Sequence, residues 1–241
     1  MSHLLEIDSV NKSFGQNRVL TDIYLKCETG DIVGMLGSNG SGKSTFLKIL
    51  FGSEHAEQKF IRIDGEIFHR PYLTFGEIAY LPQDYFIPRN MTLFDAVKLY
   101  LSADSSVSTF FDDSLLYLLQ DNKASQLSGG ELRYAEIKLL LNMEAKFVLL
   151  DEPFNGISPL NIESVKKMIQ KSAQKKGIIL TDHDYHNVLD VANRHYLLSD
   201  GGLKKVRDKE DLVLRGYMSA ARAEILELQT TDKNRLYENR L

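Results

Sequence analysis

The chain alternates short, uninterrupted apolar runs with segments whose apolar residues recur at helical spacing. Ile32-Val33-Gly34-Met35-Leu36, Phe147-Val148-Leu149-Leu150, Gly177-Ile178-Ile179-Leu180 and Tyr196-Leu197-Leu198 are runs of the first kind. They suit strands covered on both faces, as in a parallel sheet. Thr45-Phe46-Leu47-Lys48-Ile49-Leu50 is of the second kind, and so is Glu131 to Met143, where Leu132, Ala135, Ile137, Leu139 and Leu140 mark a partly buried helix. Leu4 to Val10, Val19 to Lys26 and Ile61 to Phe68 read as β-rich. From Asp84 to about Met143 the pattern turns helical, with helices at Leu93 to Leu101 and Ser114 to Leu119. After Met143 a parallel β/α pattern resumes, with a strand turn at Asp200-Gly201-Gly202. The prediction is an α/β domain spanning 1–241. Residues 1–83 and 144–215 form its core, 84–143 a helical insertion and 216–241 a more polar tail, with Ala220 to Leu228 a short helix and Thr230 to Leu241 frayed.

Gly37-Ser38-Asn39-Gly40-Ser41-Gly42-Lys43-Ser44 lies between the first apolar run and the first helical segment and fills the P-loop pattern GxxxxGK[ST]. Glycines there let backbone N–H groups curl around phosphate oxygens, and the helix that follows adds unpaired donors and a positive dipole end. Lys43 is placed to reach β- and γ-phosphates, and Ser44 to ligate Mg²⁺. The apolar run Phe147 to Leu150 ends in Asp151-Glu152. At that strand end Asp151 can hold Mg²⁺, through a water, near Ser44, and Glu152 can orient and deprotonate an attacking water.

With these motifs in hand, the chain resembles the nucleotide-binding subunit of an ABC transporter, over nearly its whole length. The family's LSGGQ/E motif appears as Leu127-Ser128-Gly129-Gly130-Glu131, with Arg133 just beyond. Its glutamine loop matches Gln83 in Leu81-Pro82-Gln83, its switch histidine matches His183 in Thr181-Asp182-His183, and its adenine-stacking aromatic matches Phe14. The resemblance implies a P-loop NTPase core with an N-terminal antiparallel β subdomain and an inserted helical subdomain. It implies ATP and Mg²⁺ as cofactors, with ATP held by Phe14, by the loop Gly37, Ser38, Asn39, Gly40, Ser41, Gly42, Lys43, Ser44 and Thr45, and by Ser128, Gly129 and Gly130 of a second protomer. Glu152, His183 and Gln83 would be the catalytic set, and Ser44, Gln83 and Asp151 the metal set. The expected partners are a second ABC ATPase protomer, as a homodimer, and integral-membrane subunits. A soluble ATPase serving an assembly scaffold is the alternative. The residues around Asp151 and His183 look most similar to the branch that powers lipopolysaccharide export and branched-chain amino-acid uptake. One departure stands out: Ser158 occupies the place where the family carries an aspartate that helps couple the two sites.

Several residues admit two readings at this level. Ser128 and Glu131 equally suit an ordinary helix capping box and an anion cradle. Phe14 suits the core or a stacking platform. Tyr85 and Phe86, in Asp84-Tyr85-Phe86-Ile87-Pro88, either line a groove for a membrane subunit or pin the helical insertion to the core. His186 and His195 read as ordinary solvated or core residues.

Composition narrows the field. A net charge of −4 in 241 residues argues against a nucleic-acid binder, and the pairs Lys166-Lys167, Lys175-Lys176 and Lys204-Lys205 read as solvated surface. No run approaches a spanning helix and the start lacks a secretory pattern, so the expectation is a cytoplasmic protein held at the inner face of the membrane by its partners. Cys27 is the single cysteine, which excludes an internal disulfide or a cysteine-based metal cluster.

Overall fold

Strands β1 (Leu4–Phe14) and β2 (Asn17–Glu28) pair as an antiparallel hairpin at one edge of a four-stranded sheet. The chain then enters β3 (Ile32–Leu36), the glycine loop and helix α1 (Lys43–Phe51) before returning to that sheet as β4 (Gln58–Ile63) and β5 (Glu66–Ile67). The stretch expected as one β-rich run from Ile61 to Phe68 is thus a hairpin, turned at Asp64 and Gly65, both with positive φ. An Asp-Gly pair is the sequence signal for that turn.

The computed structural model describes residues 1–101, 104–207 and 209–217. The expected tail segments, Ala220 to Leu228 and Thr230 to Leu241, lie outside them. Strand β6 (Gly76–Leu81) leads into helices α2 (Leu93–Tyr100), α3 (Asp104–Phe110), α4 (Ser114–Leu119) and α5 (Gly129–Asn142). The polar run Asp104-Ser105-Ser106 hid α3 from the sequence reading. Then follow β7 (Ala145–Asp151), α6 (Pro159–Ala173), β8 (Gly177–Thr181), α7 (Tyr185–Val191), the hairpin β9 (Arg194–Ser199) and β10 (Gly202–Val206), and α8 (Lys209–Leu214). The second sheet has the order β10-β9-β3-β8-β7-β6 and is parallel except for the β10 edge.

Alternation along the buried strands explains the layers. Val33, Met35, Phe147, Leu149 and Ile179 join one apolar cluster with the antiparallel sheet and with Phe46, Leu47, Ile49 and Leu50 of α1. Ile32, Leu36, Val148, Leu150, Ile178 and Leu180 face the other cluster, made with α5, α6 and α7. Each large side chain buried this way contributes about 2 kcal/mol. Helix α1, sandwiched between the two sheets, holds the glycine loop above the carboxyl ends of β3, β7 and β8, where open α/β sheets gather ligands.

Of the lysines expected on the surface, Lys166 is buried and Lys176 is half-buried. Lys166 is 5% exposed and pairs with Asp190 at 2.9 Å and Glu163 at 3.3 Å. Lys176 donates to the Met143 carbonyl, and burial pulls its ammonium down to about 8. Their aliphatic stems cover apolar surface while their heads find local partners. Phe86 packs edge-on against Tyr100, ring centroids 5.5 Å apart, and lies against the helical core, which favours the pinning reading.

Candidate active site

Gly42 sits at φ +103° at the N-cap of α1, and a Cβ there would meet Val19 Cγ1 at 2.7 Å. Only glycine fits that backbone and that space, so the loop turns tightly and aims the first N–H groups of α1 into the cleft above it. The cleft measures about 810 Å³ and is lined by Phe14, Asn39, Gly40, Gly42, Lys43, Ser44, Thr45, Gln83, Glu152 and His183, together with Asn17, Val19 and Asn155. Gly37, Ser38 and Ser41 build the loop from behind. The Lys43 ammonium donates to the Gly37 carbonyl at 2.7 Å and to that of Ser38 at 3.1 Å, and Ser41 N–H closes onto Ser38 O at 3.1 Å. Burial lowers the Lys43 pKa, while the nearby carboxylates of Glu152, Asp151 and Asp182 work in the opposite direction.

Asp151 ends β7 fully buried, and three hydroxyls converge on it: Ser44 Oγ at 3.0 Å and Thr181 Oγ1 at 2.9 Å donate to Oδ1, and Tyr80 OH at 3.1 Å donates to Oδ2. Gln83 Nε2 donates to Ser44 Oγ at 3.2 Å, which brings the expected metal set Ser44, Gln83 and Asp151 together. Two of these supports, Tyr80 and Thr181, escaped the sequence reading. Thr181 stood inside a quoted motif, and its neighbour β7 shows why it matters: Asp151 and Thr181 are in register across the β7–β8 pair. Nothing in the local sequence of Tyr80 separates it from a core aromatic. Burial and Asp151 push its phenol pKa up, so it stays a donor.

Glu152 leaves the strand in the left-handed region at φ +51°, pinned by its N–H to Thr181 O at 2.9 Å. That turn swings its carboxylate out of the sheet into the cleft. His183 Nδ1 stands 3.8 Å from Glu152 Oε2 and 3.4 Å from Asp182 Oδ1. Asp182 itself is buried, which raises its pKa, and it accepts from the N–H groups of Asp184 at 2.9 Å and Phe154 at 3.2 Å. It therefore anchors the loops on which His183 and the residues after Glu152 ride. Phe14 is 51% exposed and faces the cleft, so it is no core residue. Cys27 is buried between β2 and β8, where burial raises its thiol pKa, and takes no part.

Ser128, Gly129 and Gly130 do not reach this cleft. They cap α5, with Ser128 N–H donating to Glu131 Oε2 at 2.8 Å and Glu131 N–H donating back to Ser128 Oγ at 3.3 Å. The capping box is therefore formed, and it leaves the N–H groups of Gly129 and Gly130 at an exposed helix start. A Cβ on Gly130 would meet the Gly156 carbonyl at 2.5 Å, so this helix end is fitted to the loop after Glu152. Arg133 donates to the carbonyls of Pro82 and Gln83 and lies over the Tyr85 ring at 5.4 Å, while Glu136 Oε1 accepts from the N–H groups of Phe86 at 2.6 Å and Ile87 at 3.0 Å. Helix α5 thus grips the segment that carries Gln83. Ser158, the residue in place of an aspartate, is an exposed N-cap of α6 whose side chain makes no cap bond.

A family profile described as ABC transporter matches residues 20–155. The lipopolysaccharide export system ATP-binding protein LptB of Haemophilus influenzae is 32% identical over 211 residues, covering 82% of this chain and 88% of that protein. The sulfate/thiosulfate import ATP-binding protein CysA of Escherichia coli K12 is 29% identical over 225 residues, covering 88% of this chain and 61% of CysA. Among solved structures, one described as the ATP binding subunit of an ABC transporter superposes with a TM-score of 0.78 at 22% identity, covering 95% of this chain and 99% of the other, which shows the shared fold.

Proposed function

The chain belongs to the ABC transporter family as an ATP-hydrolysing subunit that powers transport, and on that premise we propose that two copies close around two ATP molecules. Each ATP would rest on the Gly37–Thr45 loop of one copy and meet Ser128, Gly129 and Gly130 of the other. The observation that carries this reading is a separation: the cleft gathers Lys43, Ser44, Gln83, Glu152 and His183, whereas Ser128, Gly129 and Gly130 at the start of α5 do not line it. One chain cannot bring both to a single nucleotide, and a second copy related by a two-fold axis can.

Among the described residues no trio of His, Cys, Asp or Glu makes a metal cage. One carboxylate, a hydroxyl and an amide converge instead, a hard-oxygen set that fits Mg²⁺ shared with phosphate oxygens. Ser44, Asp151 and Gln83 would hold it. When bound, Mg²⁺ neutralises charge on the transferring phosphoryl group. Lys43 would exchange its loop carbonyls for phosphate oxygens, Glu152 would take the proton of the attacking water, and His183 would hydrogen-bond the γ-phosphoryl oxygen. Phe14 would stack on adenine.

Residues 84–143 would move as a lobe that passes closure to integral-membrane subunits. No helix among the described residues is long and apolar enough to cross a membrane, in keeping with a subunit that would sit at the cytoplasmic face through its partners. The relatives named above serve transport systems, which argues against the assembly-scaffold alternative. One of them exports and another imports, so cargo would be read by the membrane subunits.

The test is Glu152→Gln. Hydrolysis should fall about 10²- to 10⁴-fold, as for loss of a general base. With ATP and Mg²⁺ the variant should sediment as a dimer. A persistent monomer under saturating ATP, alone or with its membrane partners, would refute the shared-site reading.

A further inference from the structure

Lys12 lies outside the cleft and outside every motif described above, yet it touches the residue that begins it. Its ammonium stands 4.5 Å from the ring centroid of Phe14, two residues along β1 past an irregularity in the β1–β2 pairing. Phe14 lines the cleft and Lys12 does not, so the cation touches the ring without lining the cleft. Lys12 is only 9% exposed, and its charge is held by Glu54 Oε1 at 2.7 Å and by the His55 carbonyl at 2.8 Å. The same link holds the Glu54 carboxyl below its usual range.

Glu54 and His55 follow the end of α1, the helix that starts at Lys43. The seam continues on both sides: Ser13 N–H donates to Glu57 Oε1 at 2.8 Å, and Glu57 N–H donates to Asn11 O at 3.0 Å. Strand β1, which carries the aromatic, is therefore stapled to the far end of the helix whose near end carries the phosphate loop. A long charged side chain, fixed at its head and attracted to the ring it touches, restricts that ring.

We propose that Lys12 is a positioning residue for the nucleobase, fixing Phe14 as a stacking platform at a set distance from the phosphate loop. The proposal rests on the reading of Phe14 as the adenine contact. It predicts that Lys12 acts on the base end of the ligand and leaves the phosphate end alone.

Steady-state ATPase of the full chain and its inhibition by inorganic tripolyphosphate, which has three phosphates and no base, separate the two ends. Lys12→Met should raise KM for ATP about 3- to 10-fold, the size of a cation–π contact, with kcat little changed. The tripolyphosphate inhibition constant should stay put, and Lys12→Arg should restore KM. In a Phe14→Ala background Lys12→Met should add nothing. Glu54→Gln, which keeps the lysine and loosens its anchor, should move KM in the same direction by less, and it serves if Lys12→Met does not fold. An unchanged KM, a parallel loss of tripolyphosphate binding, or a full effect of Lys12→Met on top of Phe14→Ala would overturn the proposal. If Phe14→Ala itself leaves KM unaltered while Glu152→Gln still forms an ATP-dependent dimer, the adenine role of Phe14 falls, and this inference with it, without the shared-site reading.

Discussion

The buried carboxylate of Asp151 shows how much a single residue depends on neutral neighbours. Its oxygens are shared among Ser44, Thr181 and Tyr80, and Tyr80 alone serves Oδ2. Tyr80→Phe should cost about 2 kcal/mol in chemical denaturation, the price of a hydrogen bond to a charged acceptor left unmade in the interior. His195 makes a different prediction. Burial lowers its pKa from 6.5, and Nε2 has no hydrogen-bond partner among the described residues. The folded state therefore holds the neutral ring while the unfolded chain takes up a proton below about pH 6.5. Stability should be complete above that pH and decline as pH falls through it. Urea midpoints between pH 7.5 and pH 5 should show the decline, and His195→Leu should flatten it.

At the scale of elements, the grip of α5 on residues 82–87 is the feature with the largest mechanical reach. Glu136 takes both the Phe86 and Ile87 N–H groups on one oxygen, and burial raises its pKa. Glu136→Ala strands one buried and one partly buried donor and should destabilise by about 2–4 kcal/mol, whereas Glu136→Gln, which keeps an acceptor, should lose less. Equal midpoints for Glu136→Ala and the parent in urea would contradict the grip. The elements themselves were largely legible in the sequence. The apolar runs at Ile32, Phe147, Gly177 and Tyr196 became β3, β7, β8 and β9 because strands buried on both faces leave no room for polar residues. Helix α3 and the split of β4 from β5 were missed, the first for want of early apolar residues and the second because an Asp-Gly turn was read through. Motif spacing placed Lys43, Ser44 and Glu152, and the family resemblance added Gln83 and His183; the fold brings all five to one cleft. It could not reveal Tyr80, Lys12 or Asn155, whose part depends on neighbours distant in the chain.

At the scale of the whole molecule, the proposed sharing of each ATP between two copies predicts that inactive chains rescue each other. Lys43→Ala spoils the loop and keeps the α5 end; Ser128→Glu does the reverse. Each alone should be silent, and an equal mixture should regain about a quarter of parental ATPase, since half of random pairs are mixed and each mixed pair has one intact site. Silence of the mixture would argue that both sites must fire together, which Ser158, in place of an aspartate that couples the sites in the family, makes harder to expect. Finally, Glu152 holds its left-handed backbone without being glycine or asparagine, at a cost of about 1–2 kcal/mol. Replacement by Gly or Asn should therefore yield a domain that melts at a higher temperature and no longer turns over. On the proposed reading of Glu152 as the base, durability is given up at a position used for chemistry, and anyone wanting a sturdy, nucleotide-loaded scaffold for capturing the membrane assembly should start there.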